Sequence, residues 1–295
     1  MRKKDVETKA IFIMVCILFA FFLLVPMWMI LQKSFLGKEG FTLEFYQNIL
    51  LRDNFIDVLK NSFGISLLSA GVTTLLAFIL AYSVHFTNIP KWMKRMIEKL
   101  AVLPMLLPTI TYGFAIIYSF GRQGLLTKLF GKQLFDIYGV NGLVLGYVIY
   151  TLPVAFVLIN NTMQYIDKKY LIVSKVMGDK PFRSFLQTIL RPLSGTLAAS
   201  VIQCFFLSFT DFGIPASVGG RVEVIASLLY NEMLGSVPNF NNGAVVAMIM
   251  LLPSIISIGL LSYLEKYNIR YNKVSVVELK KSFIILFNVM LYIIL

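Results

Sequence analysis

The chain has 295 residues, of which 58% are hydrophobic, 14% aromatic and only 14% charged, and its mean hydropathy is +0.78. This balance excludes an ordinary soluble domain and is typical of a polytopic membrane protein. The formal net charge is +12, but the basic residues flank apolar runs, so the membrane accounts for them and no nucleic-acid partner is expected.

Six apolar runs are long enough to cross a bilayer, which takes about 20 residues. They cover residues 10–32, 61–86, 100–120, 141–163, 193–216 and 242–263. The first is too long for the core of a signal peptide and no small-x-small cleavage site follows it, so we interpret it as a retained helix. Pro104 and Pro108 in the third run free backbone groups that neighbouring helices or a wet cavity must satisfy. We therefore predict an all-α protein with six transmembrane helices.

The runs divide the chain into three parts. Residues 1–60 are predicted to form an N-terminal transmembrane helix and an external loop, and residues 61–265 a transmembrane core. Residues 266–295 are predicted to form a cytoplasmic linker that ends in an apolar run at 282–295. That run is shorter than a full span, so a truncated seventh span, an interfacial helix and the start of a second half all stay open.

Lysine and arginine are distributed asymmetrically between the segments that connect the runs. Four precede the first run, four lie between the second and third, six between the fourth and fifth, and five follow the sixth. The remaining segments hold only Lys33, Lys38, Arg52, Lys60, Arg122, Lys128, Lys132 and Arg221. The positive-inside rule therefore places the N-terminus and the segment between the fourth and fifth runs in the cytoplasm.

That segment, residues 165–192, is the one long basic and amphipathic interruption of the apolar pattern. Gly178 suits a left-handed helix C-cap, Asp179 an N-cap and Pro181 the first turn of a new helix. We predict two short helices joined at a fixed bend. Their apolar stripes, which need a surface to pack on, comprise Ile166, Tyr170, Val173 and Val176 before the bend, and Phe182, Phe185, Leu186, Ile189 and Leu190 after it.

The same segment resembles the cytoplasmic loop of type I permeases of ATP-binding-cassette (ABC) importers, the binding-protein-dependent class. The loop of that family reads Glu-Ala-Ala, then Gly after a short gap, then Ile-x-Leu-Pro further on. Gly178, the Pro181-Phe182 pair and Phe185 match its glycine and aromatic positions. Residues 172–174 depart from Glu-Ala-Ala, and Pro192 comes one residue late.

The resemblance extends over residues 61–263 and implies the function of a permease, with no cofactor, no metal site and no catalytic residue. It implies separate cytoplasmic ABC ATPase subunits, an extracytoplasmic substrate-binding protein and a second permease half, all at a bacterial inner membrane. Since the sequence has no GxxxxGK[ST] motif, ATP hydrolysis is expected on the partner. The expected ATPase-coupling residues are Val176, Met177, Gly178, Asp179, Lys180, Pro181, Phe182 and Arg183.

The segment 209–215, with Gly219-Gly220 and residues 242–253 after it, most resembles permeases for 2-aminoethylphosphonate, followed by those for ferric iron. In those subfamilies two six-helix halves are often fused in one chain, which would account for the apolar run at 282–295. The resemblance implies a small solute as the transported substrate.

Asp211, with Thr210 beside it, is the most informative single residue. A carboxylate at membrane depth is costly and usually faces a cavity or a partner, which makes it a candidate pathway or gate residue. The alternative is that the fifth run ends at Phe209 and leaves Asp211 as an interfacial N-cap for a short external turn.

Two other functions stay open at this point. An ion-coupled secondary transporter would need discontinuous helices and ionisable residues near the midplane, for which Asp211 is the single candidate. A membrane scaffold without transport activity is the other alternative. Neither accounts for the long amphipathic segment around Gly178.

Overall fold

The computed structural model describes residues 2–37 and 40–265, with side chains from Thr8 to Leu264. The predicted linker and apolar run within 266–295 lie outside the described residues. The helices, in chain order, are α1 (Arg2–Phe19), α2 (Val25–Phe35), α3 (Glu44–Leu50), α4 (Phe55–Phe86), α5 (Lys91–Val102), α6 (Thr109–Phe120), α7 (Leu125–Phe130), α8 (Val140–Met163), α9 (Lys169–Val176), α10 (Pro181–Phe185), α11 (Arg191–Thr210), α12 (Gly213–Val218), α13 (Ile225–Leu234) and α14 (Phe240–Glu265).

Three irregular helical turns and one hairpin complete the described fold. Single π-helical turns join α1 to α2 (Ala20–Leu24) and α10 to α11 (Leu186–Leu190), and a 3₁₀ turn (Leu103–Leu106) follows α5. The two-residue strands β1 (Leu36–Gly37) and β2 (Gly40–Phe41) pair antiparallel. The prediction of an all-α membrane protein is therefore confirmed, with one minimal hairpin outside the membrane-spanning helices.

Five helical stretches in the described residues are long and apolar enough to cross a membrane, or six if one bent pair counts as a single span. They are Thr8–Phe35, Phe55–Phe86, Val140–Met163, Pro181–Thr210 and Phe240–Leu264. The second begins six residues earlier than predicted, because Phe55 and Val58 are buried in a cluster with residues of α13 and α14 and extend the apolar pattern.

The predicted third span is not one straight helix. Its two parts, Lys91–Leu106 and Thr109–Phe130, are bent by 111° at a short break. The break falls at Leu107-Pro108, where proline cannot donate a backbone hydrogen bond and restricts the residue before it. The Tyr112 hydroxyl donates to the Leu107 carbonyl at 3.2 Å and also contacts the Pro104 carbonyl. A neighbouring side chain thus satisfies the backbone groups that the prolines free.

The fifth span also differs from its prediction. One helical stretch runs from Pro181 to Thr210, through a π-helical turn and Pro192, and residues 213–218 form the separate helix α12. The predicted span at 193–216 was therefore wrong at both ends. Phe185 and the buried Ile189 pack on the helical bundle, and this packing draws the second loop helix into the span.

The core of the bundle is formed by α4, α8 and α11, which approach closely through small residues. Ala70, Ala77 and Ala81 on α4 are fully buried. Hydroxyl pairs join the helices, with Thr73 to Thr151 at 3.0 Å and Thr74 to Ser200 at 3.2 Å. Small residues and hydroxyl bonds hold helices together in lipid, where no hydrophobic effect drives them together.

The two ends of this bundle carry different elements. At the Gly178 end, where α4 and α8 end, the Lys168 ammonium lies 5.8 Å from the centre of the Phe86 ring. At the opposite end, where α8 begins, Gly139 N–H donates to Val218 O at 2.8 Å and Ile225 N–H to the Ser62 hydroxyl at 2.7 Å. The two predicted sites therefore lie at, or toward, opposite ends of the molecule.

Candidate functional site: an exposed bend and a buried joint

Gly178 closes helix α9 in the conformation that its sequence predicts. Its φ is +79°, a value that a residue without a Cβ adopts freely. Gly178 N–H donates to Lys175 O and Asp179 N–H to Ser174 O, both at 3.1 Å. This pair of bonds is the Schellman arrangement, which satisfies the last carbonyls of the helix and fixes the exit direction of the chain.

Asp179 does not cap the following helix, and that prediction is corrected. The N-cap residue of α10 is Lys180, with Pro181 in the first helical turn as predicted. The Asp179 carboxylate instead accepts a hydrogen bond from the Ser174 hydroxyl at 2.9 Å and pairs with the Arg183 Nε at 3.4 Å. Because it contacts both helices that meet at Gly178, Asp179 braces the bend.

The apolar side chains around the bend point away from the bundle. Val176, Met177 and Phe182 are 83%, 77% and 74% exposed. Within the predicted stripe of α9, Tyr170 and Val173 are exposed as well, and only Ile166 is buried. The surface on which the α9 stripe was predicted to pack is therefore not provided by the described residues of this chain. Exposed apolar groups clustered among lysines and an arginine are typical of a surface that contacts another protein or a membrane.

One aromatic residue anchors this surface to the bundle. The Phe185 ring lies edge-on to Phe78 and Tyr82 on α4, with ring centres 6.2 and 5.9 Å apart. Since α10 continues into the fifth span, a force applied at Phe182 acts directly on a membrane helix. The sequence places Phe185 in the apolar stripe but contains no signal that identifies its partners on α4.

Asp211 lies immediately after the fifth span, which ends at Thr210 and not at Phe209. Its carboxylate accepts a hydrogen bond from Ile214 N–H at 2.9 Å and so satisfies a free N–H in the first turn of α12, whose N-cap residue is the following Phe212. It is only 8% exposed, so the turn that its carboxylate stabilises is buried within this chain. The Thr109 hydroxyl and the Gly213 N–H also lie close to this carboxylate.

Thr210 is not brought together with Asp211. The Thr210 hydroxyl donates to the Phe206 carbonyl of its own helix at 2.9 Å. Among the described side chains, Asp211 forms no ion pair, since the two pairs found there join Arg52 to Glu232 and Arg183 to Asp179.

Helix α12 packs so closely against α6 that Gly113 and Gly213 leave no room for a Cβ atom. A Cβ added at Gly113 would lie 1.6 Å from the Ser217 Oγ and 2.4 Å from its Cβ, and one at Gly213 would lie 2.2 Å from the Thr109 Oγ1. We call Thr109, Gly113, Asp211, Gly213 and Ser217 the Asp211 joint. It holds α6, the second half of the broken third span, against the chain that leaves the fifth span. Sequence reasoning identified Asp211 as a candidate but not its contacts with Thr109 and Gly113, which are about a hundred residues away in the chain.

An isosteric substitution that removes the charge separates the two roles that Asp211 can have, a structural cap and a charged pathway residue. We expect Asp211→Asn to keep the thermal stability of the purified protein, because its amide oxygen can still accept from Ile214. Asp211→Ala removes the cap and should cost about 1–2 kcal/mol of stability. Thermal unfolding measured side by side tests this expectation, and equal stability of both variants would contradict the capping role.

Comparisons with known proteins agree with this architecture. Residues 73–267 match the family described as binding-protein-dependent transport system inner membrane component. A ferric transport system permease protein of Actinobacillus pleuropneumoniae is 26% identical over 266 residues, 88% of this chain and 38% of that protein. This chain thus spans about two-fifths of the length of that ferric relative. A Salmonella typhi protein named for 2-aminoethylphosphonate transport is 24% identical over 246 residues, 80% of this chain and 83% of its own length.

The fold is shared with a solved structure at much lower sequence identity. A chain of a bacterial ABC transporter involved in the import of the acidic polysaccharide alginate superposes with a TM-score of 0.72 at 13% identity. The match covers 92% of this chain and 98% of the other. At this identity the likeness concerns the fold alone.

Proposed function

The chain belongs to the family of binding-protein-dependent transport system inner membrane components, and from this premise we propose that it lines the translocation pathway of an ATP-driven importer. It is an ABC importer permease of type I. Permeases of this kind are not enzymes, so ATP hydrolysis falls to a separate cytoplasmic subunit. Delivery of the solute falls to a soluble binding protein on the other side of the membrane.

The exposed apolar surface around Gly178 is the observation that carries this proposal. Residues 176–183 form its centre, and three large apolar side chains there have no partner in this chain's described residues. Burial of such a side chain in a groove stabilises a complex by about 1.5–3 kcal/mol. Lys180 and Arg183 at the rim would mainly affect the association rate and its salt dependence. We propose that an ABC ATPase subunit covers this surface, in the manner of a helix in a groove.

Phe182→Ala tests the docking site. We expect the affinity for the ATPase to fall roughly 30-fold, since truncation of a central aromatic contact costs about 2 kcal/mol or more. The measurement is co-purification of the ATPase, with its dissociation constant determined in detergent. Phe41→Ala is the matched control, because Phe41 is equally exposed at 74% but lies on the hairpin after the first span. Normal ATPase binding by Phe182→Ala would refute the docking site.

The identity of the transported solute is a second part of the proposal. We propose a small solute, 2-aminoethylphosphonate or ferric iron, because the relatives carry these names and the segment 209–215 resembles theirs. Thr210 and Asp211 are the candidate pathway residues. If the Asp211 charge acts in the pathway, Asp211→Asn should lower uptake of the solute while the ATPase stays bound. A binding protein loaded with each solute in turn, added to reconstituted complex, distinguishes the two by stimulation of ATP hydrolysis.

A second permease half completes the pathway in this proposal, either fused, as a homodimer or as a heterodimer. If the second half is a distinct chain, this chain with an ATPase and a binding protein should not transport. Uptake by such a preparation would refute the distinct half and leave the permease function intact. An ion-coupled carrier would instead transport without any ATPase, and a scaffold would not transport at all.

Membrane orientation is a separate prediction, made from the distribution of lysine and arginine. Single cysteines at Lys91 and Lys180 should react with a membrane-impermeant maleimide only from the cytoplasmic side, and those at Lys128 and Arg221 only from outside. Lys273, which lies outside the described residues, should also react from the cytoplasm. Labelling of position 180 from outside in intact cells would overturn both the orientation and the docking site.

A further inference from the structure

Helix α5 begins at the Gly178 end of the bundle and carries two parallel rows of unlike side chains. Trp92, Met96 and Leu100 are spaced four residues apart and are 62%, 49% and 55% exposed. On a helix such residues lie one above the other. Beside them runs a second row with the same spacing, which consists of Lys91, Arg95 and Lys99.

The apolar row borders a cavity. Its volume is about 340 Å³, and its lining includes Trp92, Met96 and Leu100 of α5 together with Leu80 of α4 and Leu152 of α8. Leu80 lies six residues before the end of α4, roughly 9 Å deeper along the helix at 1.5 Å per residue. The cavity therefore leads from the start of α5 toward the middle of the bundle.

The basic row has no carboxylate partner among the described side chains, where the two ion pairs are formed by Arg52 and Arg183. Like charges four residues apart repel each other and destabilise a helix. Three cations in a row beside an apolar cavity thus form a surface that is complementary to a ligand with an anionic group and an apolar tail. Basic amphipathic helices with tryptophan at the membrane surface attract anionic lipid.

We propose that α5 and the adjoining cavity form a binding site for one anionic phospholipid of the leaflet at the Gly178 end. The phosphate group lies against Arg95 and Lys99, and an acyl chain enters the cavity past Leu100 toward Leu80. Bound there, the lipid covers the exposed face of α5, the first half of the broken third span, whose other face packs on the bundle through Ile97 and Ala101.

The proposal is tested by lipid binding to the purified protein, without ATPase or solute, so its result is independent of the proposed transport function. Native mass spectrometry measures the affinity for palmitoyl-oleoyl phosphatidylglycerol and for phosphatidylcholine with the same acyl chains. Wild-type protein should prefer phosphatidylglycerol. Arg95→Gln with Lys99→Gln should weaken that binding roughly 30-fold, since each cation near the surface contributes about 1 kcal/mol.

Two further variants make the result specific. Lys128→Gln with Lys132→Gln removes a pair of cations with the same spacing near the opposite end and should leave binding unchanged. Leu100→Trp keeps every charge but adds bulk to the lining of the cavity, so it should also weaken phosphatidylglycerol binding. Equal affinity for the two lipids, an equal loss in the control pair, or unchanged binding by Leu100→Trp would each overturn the site. A cooperative thermal unfolding transition, measured without added lipid, shows that every variant is folded.

Discussion

Gly178→Val is expected to abolish both co-purification of the ATPase and transport, while the chain still inserts into the membrane. The backbone at Gly178 has a φ of +79°, which costs an ordinary residue about 1–2 kcal/mol and a β-branched one more. An added Cβ would meet no atom within 4 Å, so the effect comes from the backbone alone. Valine would release the bend and turn Phe182 away from the direction in which the Schellman bonds hold it. Membrane yield, ATPase co-purification and whole-cell uptake are the measurements.

Gly178→Asn is the control for this prediction, because asparagine tolerates the left-handed conformation better than other residues with a Cβ. It should keep most ATPase binding despite its larger side chain. If Gly178→Val binds the ATPase and transports normally, the segment is only a linker and the docking surface must be sought elsewhere. If both variants lose ATPase binding to the same extent, the groove of the partner excludes any side chain at position 178. The left-handed backbone conformation is then not the reason for the loss.

Gly113→Ala is expected to have the second large effect, on the Asp211 joint. Rotation of the Ser217 hydroxyl can relieve the contact with its Oγ but not the 2.4 Å approach of the two Cβ atoms. Since apolar carbons pack at about 3.5–4.0 Å, α12 would have to move by about 1 Å. Overpacking of this kind costs about 1–3 kcal/mol or more. The readouts are thermal unfolding and uptake.

Second-site substitutions identify the cause. Ser217→Gly combined with Gly113→Ala removes the colliding Cβ and should recover most of the lost stability, whereas Ser217→Ala keeps that atom and should not. Gly64→Ala on α4 is the matched control, because a Cβ at Gly64 meets no atom within 4 Å and alanine favours a helix. Equal recovery by Ser217→Ala and Ser217→Gly would show that the close approach of α6 and α12 is not the constraint.

Much of this architecture follows from local sequence. Apolar run length predicts the helices Val140–Met163 and Phe240–Glu265 to within a few residues, because each must satisfy its backbone hydrogen bonds internally in lipid. The glycine at 178, followed by proline at 181, predicts the Schellman bend for the same local reason. These helices and the Gly178 bend could be predicted because each depends on residues that lie within one or two helical turns of each other.

The parts that sequence could not provide depend on contacts between distant residues. The Asp179 carboxylate is bound by Ser174 and Arg183. It is therefore not available to cap α10, although the sequence pattern predicts an N-cap at this position. Thr109, Gly113 and Ser217 lie on two segments whose meeting depends on how α6 and α12 pack. Prolines at 104 and 108 indicate freed backbone groups, but only the position of the Tyr112 hydroxyl shows why the helix can break there.

The π-helical turn Leu186–Leu190 explains how the chain accommodates a difference in length. Pro192 comes one residue later than in the loop pattern that the segment resembles, and a turn with i→i+5 bonding holds one residue more than an α-helical turn. The surplus residue is thus absorbed between Phe185, which packs on α4, and the rest of the fifth span. Residues before and after the turn therefore keep the same orientation toward their neighbours. The π-helical turn accommodates the extra residue without a change in the register of the flanking helices. Deletion of one residue from it should therefore be tolerated, whereas the same deletion after Pro192 would rotate the polar face of α11 away from α4 and α8.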